Sequence, residues 1–379
     1  MKKNLSLYIH IPFCIKKCLY CDFPSLGGLD AYFDDYVKVL CSEIREAAGE
    51  FSDRRIQTIF IGGGTPTVLQ PQLLGRIMDT VLSKYDVDRR AEITIESNPG
   101  TLDSFKLKEL NNMYFNRLSM GLQAWQDSHL KALGRIHTVN EFIKNYMEAR
   151  EAGFKNINID LMFSLPNQTI EEWKETLQNV MMLNPEHISA YSLIIEEGTP
   201  FYDMAQRGTI KETDDILDRQ MYYDTDRMLS QNGYHRYEIS NYAKSRYECE
   251  HNKVYWRTEE YRGFGLGAHS YVNGERFHNG YGFNDYIQSK GINLITESEK
   301  LTMAQKQEEF MFMGLRMTEG ISEDDFRNRF FCSIEDVYGE ELNLLISNQL
   351  IIRKKQRLFL SSRGVDISNQ IFEKFIKSS

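Results

Sequence analysis

The sequence predicts an α/β fold: a (β/α)6 partial TIM barrel followed by a smaller, mostly helical domain that resembles a winged helix. Two observations support this prediction. In residues 1–240, strand-like and helix-like segments alternate, which is typical of a parallel sheet with right-handed crossovers. In residues 299–379 the pattern changes to helices and a β-hairpin. A chain of 379 residues is long enough for one large and one small domain.

Several segments of the first region have the apolar or alternating pattern of buried strands, and they occupy residues 7–13, 56–61, 92–96, 117–123, 156–165 and 187–195. Amphipathic segments predict helices at residues 30–50, 71–85, 139–152, 170–183 and 216–232. Cysteine, glycine and polar residues fall at or just past the carboxyl ends of several of these strands. Because (β/α) barrels build their active sites on that face, we expect the functional site there.

Residues 241–298 have a different composition, with many Tyr, Gly, Asn and His residues and no clear helical periodicity. We interpret them as short strands and loops that either cover the mouth of the barrel or link the two domains. Further on, helices are predicted at residues 302–317, 322–330 and 333–348, a hairpin at 350–361, and a last helix at 366–376. The sequence therefore predicts three regions, 1–240, 241–298 and 299–379.

The composition limits the classes of function. The net charge of −9 argues against a general nucleic-acid binder, which would carry a basic face. The basic run RKKQR lies at the predicted hairpin tip, where charge is normally solvated. No stretch of about 18 apolar residues predicts a membrane-spanning helix, and the N-terminal residues lack the pattern of a signal peptide. We therefore expect a cytoplasmic protein, in which thiols stay reduced and can bind metal.

The most informative motif is a group of three cysteines near the N-terminus. Cys14, Cys18 and Cys21 have the spacing C-x3-C-x2-C without a fourth cysteine nearby. Thiolates hold iron–sulfur clusters, and a cubane has four irons, so three thiolates leave one iron open to a small molecule. Two other interpretations compete with this one. A disulfide framework is typical of secreted chains, and a structural zinc site needs a fourth ligand, which His10 would supply.

Further polar features lie at strand ends on the same predicted face. The motif GGGTP at residues 62–66 directly follows a strand, and its glycines let the backbone approach a ligand closely. Glu96 ends the next strand, where its carboxylate can accept hydrogen bonds from ribose hydroxyls. Asp160 lies in an apolar strand and needs a partner or a ligand. Arg135 pairs either with a ligand carboxylate or with Asp160, and Gln123 completes the set.

Together these motifs resemble the coproporphyrinogen III oxidase-like radical S-adenosylmethionine (SAM) family. The resemblance rests on YIHIPF before C-x3-C-x2-C-D-F, on GGGTPT, on the four polar positions above and on the C-terminal domain, and it covers nearly the full chain. It implies a radical SAM partial barrel with one [4Fe–4S] cluster whose open iron binds SAM. Carried over by position, the cluster ligands are Cys14, Cys18 and Cys21, and the SAM contacts are Tyr8, Tyr20, Gly63, Gly64, Thr65, Glu96, Gln123, Arg135 and Asp160.

Two branches of that family differ in features that this sequence contains. The oxygen-independent oxidase HemN has a fourth cysteine two residues past the third and a long N-terminal extension over its substrate. Here Phe23 stands at that position, and only a short segment precedes Tyr8. The haem chaperone HemW has CDF at the cluster and an HNxxYW motif, which this chain carries as HNKVYW at residues 251–256. Both features resemble the HemW branch.

The HemW resemblance implies haem as a further cofactor. It also implies delivery of haem to apo-proteins, which include membrane-bound respiratory enzymes reached by peripheral membrane contact. The imidazole of His251 can serve as an axial ligand, with Cys249 as the alternative, and Asn252, Tyr255 and Trp256 complete the predicted haem contacts. We expect this motif near the barrel mouth, where an uncovered opening can receive a large flat ligand.

Two other functions compete with the chaperone interpretation. One is an oxygen-independent coproporphyrinogen III dehydrogenase, which decarboxylates two propionates in porphyrin biosynthesis. The other is a radical SAM enzyme that acts on a different substrate.

Overall fold

The structure is a computed structural model, and it describes residues 2–377. Its strands, in chain order, are β1 (Lys3–Ile11), β2 (Phe13–Cys14), β3 (Leu26–Gly27), β4 (Arg54–Gly63), β5 (Val87–Ser97), β6 (Arg117–Gln123), β7 (Ile157–Phe163), β8 (His187–Ser192), β9 (His235–Arg236), β10 (Asn241–Ala243), β11 (Tyr261–Phe264), β12 (His269–Val272), β13 (Glu275–Asn279), β14 (Ile295–Lys300), β15 (Ile321–Ser322), β16 (Ile351–Lys354) and β17 (Arg357–Leu360).

The α-helices, again in chain order, are α1 (Phe33–Ala47), α2 (Pro71–Lys84), α3 (Ser104–Asn112), α4 (Asp127–Ala132), α5 (Val139–Glu151), α6 (Ile170–Leu183), α7 (Pro200–Gln206), α8 (Asp215–Gln231), α9 (Glu250–Trp256), α10 (Phe283–Ser289), α11 (Met303–Gly314), α12 (Glu323–Phe330), α13 (Ile334–Ser347), α14 (Ser362–Asp366) and α15 (Ser368–Glu373).

One large sheet forms the body of the protein. Strands β1, β4, β5, β6, β7 and β8 are neighbours in that order and run parallel, so all the strands predicted for the first region belong to one parallel sheet. Within residues 2–377, β1 and β8 do not pair with each other, and the barrel is therefore open. Strand β11 adds a further parallel neighbour to β1. The predicted fold class, an incomplete α/β barrel with a helical C-terminal region, is confirmed.

The apolar character of these segments explains why they form strands that helices cover. Every residue of β6 is buried, as expected for a parallel strand with both faces covered. The covering helices begin at strong signals in the sequence. Thr138 forms a capping box with Glu141 at the start of α5, and Thr169 does so with Glu172 at the start of α6. These caps determine where each helix begins, and they therefore fix one end of the loop that comes before it.

Residues 241–298 extend the sheet at both of its edges. Strand β10 pairs antiparallel with β8, and β12, β13 and β14 continue antiparallel beyond β11. The lack of helical periodicity predicted no helix in this region, and that prediction is wrong, because α9 and α10 are present. Each has only 7 residues, which is too short to give a clear periodic pattern in a sequence. Helix α9 carries the whole HNKVYW motif.

The C-terminal region has a core of its own. Helices α11, α12 and α13 and the sheet of β15, β17 and β16 enclose apolar residues that include Phe326 and Leu358. The predicted single last helix is wrong, because α14 and α15 occupy that part of the chain. Ser361 caps α14 earlier than predicted, and Ile367, with φ −119° and ψ 30°, separates the two helices. Among residues 2–377 there is no helix with the length and apolarity needed to cross a membrane.

Candidate functional site

The loop that carries the three cysteines leaves the carboxyl end of β1. The short strands β2 and β3 close its base, with Cys14 opposite Gly27. All three thiols are partly exposed. Burial raises the pKa of Cys14 and of Cys21, and the neighbouring Cys18 adds to both shifts. The three sulfurs therefore lie close enough at the barrel mouth to influence one another's ionisation.

The glycine turn after β4 presses against this cysteine loop. A Cβ on Gly64 would lie 2.6 Å from the carbonyl oxygen of Phe13 and 3.1 Å from Sγ of Cys14. A Cβ on Gly63, whose φ is +113°, would lie 2.4 Å from the ring of His10. Only glycine fits at these two positions, because any side chain would overlap atoms of the neighbouring loop. The two loops therefore form a tight cradle beside the thiols, as a bound cofactor requires.

The donor set fits a cluster better than a single metal ion. Within residues 2–377, no group of three or more His, Cys, Asp or Glu side chains could hold one ion. His10, the fourth ligand in the zinc interpretation, has both ring nitrogens engaged: Nε2 lies 2.9 Å from the Pro24 carbonyl oxygen, and Nδ1 lies 2.9 Å from the Tyr8 hydroxyl. In a cubane each thiolate binds a separate iron, so the thiols need not converge on one point. Three thiols around one opening suit a [4Fe–4S] cluster.

Arg135 connects the cysteine loop to the ends of the strands. Its guanidinium donates to Oδ1 of Asn98 at 2.6 Å and to the carbonyl oxygen of Gly121 at 2.5 Å, and Nη1 lies 3.6 Å from Sγ of Cys18. Asp160 is not among these partners, so the structure does not contain the Arg135–Asp160 pair that was one of the two possibilities from the sequence. Arg135 therefore joins the cysteine loop to the loops that follow β5 and β6.

Asn98 is a site residue that was not predicted from the sequence. Its side-chain amide donates to Oγ1 of Thr65 at 2.7 Å, and that hydroxyl lies 3.6 Å from Sγ of Cys14. Asn98 therefore links the glycine turn to Arg135. The signal in the sequence was its place just past Glu96, where a polar side chain follows the carboxyl end of a strand.

Glu96 lies partly buried at the mouth end of β5. Its Oε2 accepts a hydrogen bond from the backbone amide of Gly63 at 3.0 Å. Burial raises the pKa of Glu96 to about 8, and the charge of Asp160 adds to this shift. The carboxyl is therefore mostly protonated at neutral pH. A ligand that donates hydrogen bonds or carries positive charge would favour its ionised form.

Asp160 and Gln123 are held by polar side chains from inside the barrel. The carboxylate of Asp160 accepts from the Ser119 hydroxyl at 3.0 Å and from the Asn158 amide at 2.7 Å. Oε1 of Gln123, which has a φ of 73°, accepts from the Tyr191 hydroxyl at 2.9 Å. None of these three partners was predicted, although each lies in a strand at a position that the alternation of side chains turns into the barrel.

The two tyrosines carried over from the family also lie near the mouth. Tyr8 is partly buried, and its ring stacks on Phe60 with centroids 6.3 Å apart. Tyr20 packs edge-on against Phe201 at 6.4 Å. Burial raises the pKa of both phenols, and the positive charge of Arg135 opposes this shift for Tyr20. The structure thus brings the proposed SAM contacts to one end of the barrel.

The HNKVYW motif lies away from that end, so its expected position at the mouth is wrong. The carboxylate of Glu92 accepts hydrogen bonds from the backbone amides of Glu250 and His251, at 3.0 and 3.1 Å. Nδ1 of His251 lies 2.7 Å from Oγ1 of Thr58. At the rise of a parallel strand, Thr58 is roughly 16 Å before Gly63 along β4. Helix α9 therefore packs on the amino-terminal half of the strands.

His251 is enclosed in this position. It is 1% exposed, its Nε2 lies 3.0 Å from the Tyr255 hydroxyl, and its ring stacks on Phe60 at 5.1 Å. Burial lowers the pKa of His251 to about 3. Cys249, the alternative ligand, is also buried, and its Sγ lies 3.4 Å from Oε1 of Glu92. Neither side chain is open to an iron atom in this conformation.

The remaining motif residues face elsewhere. The guanidinium of Arg316 lies over the ring of Trp256, 4.5 Å from its centroid. The indole nitrogen of Trp256 is buried without a hydrogen-bond partner among the described residues. Asn252 is partly exposed. The structure thus divides the predicted haem contacts: His251 and Tyr255 face the barrel interior, whereas Trp256 faces the C-terminal region.

Comparisons with known proteins agree with this architecture. Residues 8–180 match the Radical SAM superfamily, and residues 301–367 match the HemN C-terminal domain. Curated proteins named heme chaperone HemW from Lactococcus lactis and Bacillus subtilis are each 36% identical to this chain. The first match covers 99% of this chain and 98% of the relative, and the second covers 98% and 99%.

A solved structure of coproporphyrinogen III oxidase (HemN) from Escherichia coli is also similar. It matches with a TM-score of 0.86 at 25% identity, over 99% of this chain and 90% of that one. The likeness to HemN extends through both the barrel and the C-terminal region, while the two full-length relatives at 36% identity carry the HemW name. On this evidence, the chain belongs to the HemW family of the radical SAM superfamily.

Proposed function

We propose that this protein is a haem chaperone that binds haem and transfers it to apo-proteins. The observation that carries the proposal is the 36% identity, over nearly the whole chain, to proteins named heme chaperone HemW. The proposed recipients are membrane-bound respiratory enzymes, reached by peripheral contact with the membrane. The proposed compartment is the cytoplasm, where the thiols of the cysteine loop stay reduced.

In this proposal Cys14, Cys18 and Cys21 hold a [4Fe–4S] cluster. When bound, such a cluster supplies an electron to SAM. The chain's own part is to hold the thiolates and to keep the loops in place. Arg135 offsets negative charge beside Cys18, and Thr65 does so with a hydroxyl beside Cys14.

The SAM contacts remain those proposed from the family. They are Tyr8, Tyr20, Gly63, Gly64, Thr65, Glu96, Gln123, Arg135 and Asp160. Support comes from their grouping toward one face of the barrel: Asp160 lies at the middle of β7, Tyr8 lies three residues before the end of β1, and the others lie at the carboxyl ends of β4, β5 and β6 or in the loops of that face. The narrow turn at Gly63 and Gly64 brings backbone amides next to the cysteine loop, and Glu96 fixes one of those amides.

The haem contacts His251, Asn252, Tyr255 and Trp256 stay a prediction. For His251 to bind iron, α9 must leave Thr58 and Glu92, since both ring nitrogens are engaged. We therefore expect haem binding through this motif to be accompanied by movement of α9. The same movement would separate Trp256 from Arg316 in the C-terminal region.

The second candidate is the coproporphyrinogen III dehydrogenase. The structural likeness to HemN over 99% of the chain favours it. The cysteine loop is an argument against the dehydrogenase function. The oxidase branch has a further cysteine where this chain has Phe23, whose side chain is 62% exposed. A radical formed on a propionate must be shielded from water, and an exposed phenylalanine replaces a residue of the oxidase site.

One experiment separates the two functions. Purified protein, reconstituted anaerobically with iron and sulfide, is titrated with hemin and is also incubated with coproporphyrinogen III, SAM and a reductant. We expect a shift of the Soret band in the first assay and no product in the second. A Cys14→Ala variant shows whether any product depends on the cluster. Robust SAM-dependent protoporphyrinogen formation by the unmodified protein would restore the oxidase.

A further inference from the structure

A cavity of about 810 Å³ opens at the end of the barrel opposite the cysteine loop. It is lined by the first residues of β1, by the early parts of β4 and β5, by α9 and by Arg329 of α12. Its volume is in the range of roughly 300–1,000 Å³ that is typical of ligand and cofactor sites. The site proposed for the cluster and SAM does not use this cavity.

The charge of the cavity differs from that of the protein. Six Lys and Arg side chains line it against four carboxylates, although the whole chain has a net charge of −9. Some of these cations are already neutralised, as Arg54 is by Glu260 at 2.7 Å. Lys3 and Arg90 are exposed at the rim, and neither forms an ion pair with another residue of the described chain. These two cations are available to an anionic ligand.

Apolar side chains supply a second kind of surface in the same cavity. The ring of Tyr271 is partly exposed in the wall, and Leu5 and Val254 lie almost fully buried behind the charged residues. A ligand with an apolar body and anionic groups at its edge would use both surfaces. Haem has this character, because a flat apolar ring carries two propionates on one side.

The cavity also touches the groups that hold His251. Thr58 and Glu92 both line it, and they bind the His251 ring and backbone amide respectively. Val254 brings α9 itself into the cavity wall. A molecule bound in the cavity therefore lies next to the hydrogen bonds with Thr58 and Glu92, which must break before His251 can bind iron.

We propose that this cavity is the port through which haem is received, with the propionates bound by Lys3 and Arg90 and the ring edge against Tyr271. Haem then enters from the side of α9 and not across the mouth that holds the cysteines. This proposal rests on the proposed function, since it assumes that haem is the cargo. It adds the place of entry and the residues that recognise the carboxylates.

The test reverses the two rim charges. The variant Lys3→Glu/Arg90→Glu is compared with Lys108→Glu/Lys131→Glu, which makes the same change of net charge at two exposed lysines on α3 and α4. Hemin is titrated into each reconstituted protein and followed by its Soret band. We expect hemin to bind about ten-fold more weakly to the port variant, because two attractions become repulsions, and almost unchanged to the control. The cluster absorbance of both variants should match that of the unmodified protein.

A second ligand identifies the propionates as the groups recognised. Hemin dimethyl ester lacks the carboxylates, so the port variant and the unmodified protein should bind it equally. Equal weakening in both charge variants, or an unchanged affinity in the port variant, would overturn the port. A loss of affinity that persists with the ester would do so as well. If the unmodified protein itself fails to bind hemin, the proposed function fails, and the port fails with it.

Discussion

Oγ1 of Thr58 lies 2.7 Å from Nδ1 of His251, in the interior of the barrel on the side away from the cysteine loop. This contact joins the first parallel strands to the helix that carries HNKVYW. Phe60 extends the connection toward the mouth, because its ring stacks on His251 at 5.1 Å and on Tyr8 at 6.3 Å. The two ends of the barrel are therefore in contact through one row of rings.

The first prediction concerns this hydrogen bond. The substitution Thr58→Val removes the hydroxyl and leaves a buried imidazole nitrogen without its partner. We expect the free energy of unfolding to fall by about 1–3 kcal/mol, the usual cost of an unsatisfied buried polar group. Chemical denaturation of the unmodified and variant proteins measures the difference. Thr58→Ser, which keeps the hydroxyl, should retain most of the stability, and a Val variant as stable as the Ser variant would contradict the role of the bond.

The second prediction concerns the metal content of the cysteine loop. Anaerobically prepared protein should contain about four iron and four sulfide per chain, as a cubane requires. Replacing Cys14, Cys18 or Cys21 by Ala should remove the cluster absorbance, because each thiolate binds a different iron. Cys41→Ala and Cys332→Ala are the controls, and both should keep it. Stoichiometric zinc without sulfide would show that the site holds another metal.

The third prediction concerns the SAM site. Glu96→Ala and Asp160→Ala should each weaken SAM binding about ten-fold, which corresponds to roughly 1.4 kcal/mol of lost interaction. Calorimetry on the reconstituted protein should give a single-site isotherm for the unmodified chain. Asp203→Ala removes an exposed acid on α7 and serves as the matched control. Normal SAM affinity in both site variants, with their clusters intact, would show that the contacts are assigned to the wrong residues.

The fourth prediction concerns pH. Burial raises the pKa of Glu96 to about 8, above the ordinary value of 4.5. Between these two values the folded protein binds a proton that the unfolded chain does not, so this group's contribution to stability falls as pH rises from 4.5 to 8. At about 1.4 kcal/mol per pKa unit, the change amounts to a few kcal/mol.

Glu96→Gln removes this titration while keeping a similar shape. The unmodified protein, without cofactors, should lose stability relative to Glu96→Gln as pH increases across that range, measured by denaturation at several pH values. Taking the difference between the two proteins cancels the titration of the buried histidines. A difference that stays constant with pH would mean that Glu96 is ionised throughout.

Much of the site was predictable because it follows a rule of parallel sheets. Glu96 and Gln123 fall at the carboxyl ends of strands, and those ends meet at one face. The glycine turn could be recognised in the same way, since Gly63 and Gly64 directly follow β4. Asn98 follows the same rule and was overlooked. Ser119 and Asn158 lie within their strands, where the alternation of side chains shows that they face the barrel but not which residue they bind.

The place of α9 could not be predicted. Its residues come late in the chain, after the parallel strands that it contacts, and they are too few to show a helical period. Whether such a segment packs at one end of a barrel or the other depends on Glu92, which lies far earlier in the sequence and accepts the first amides of the helix.

The sequence by itself determined the parallel sheet, the cysteine loop and the family, because these depend on local patterns: apolar alternation, ligand spacing and glycines where a backbone must pass closely. The tertiary structure alone decided which groups meet across long separations. In the folded protein the guanidinium of Arg135 binds Asn98 and Cys18 and not Asp160. The ring of His251 is buried, with its Nδ1 next to the hydroxyl of Thr58. The physical reason is that a hydrogen bond or an ion pair between distant residues depends on how the whole chain packs, and no local pattern of residues encodes it.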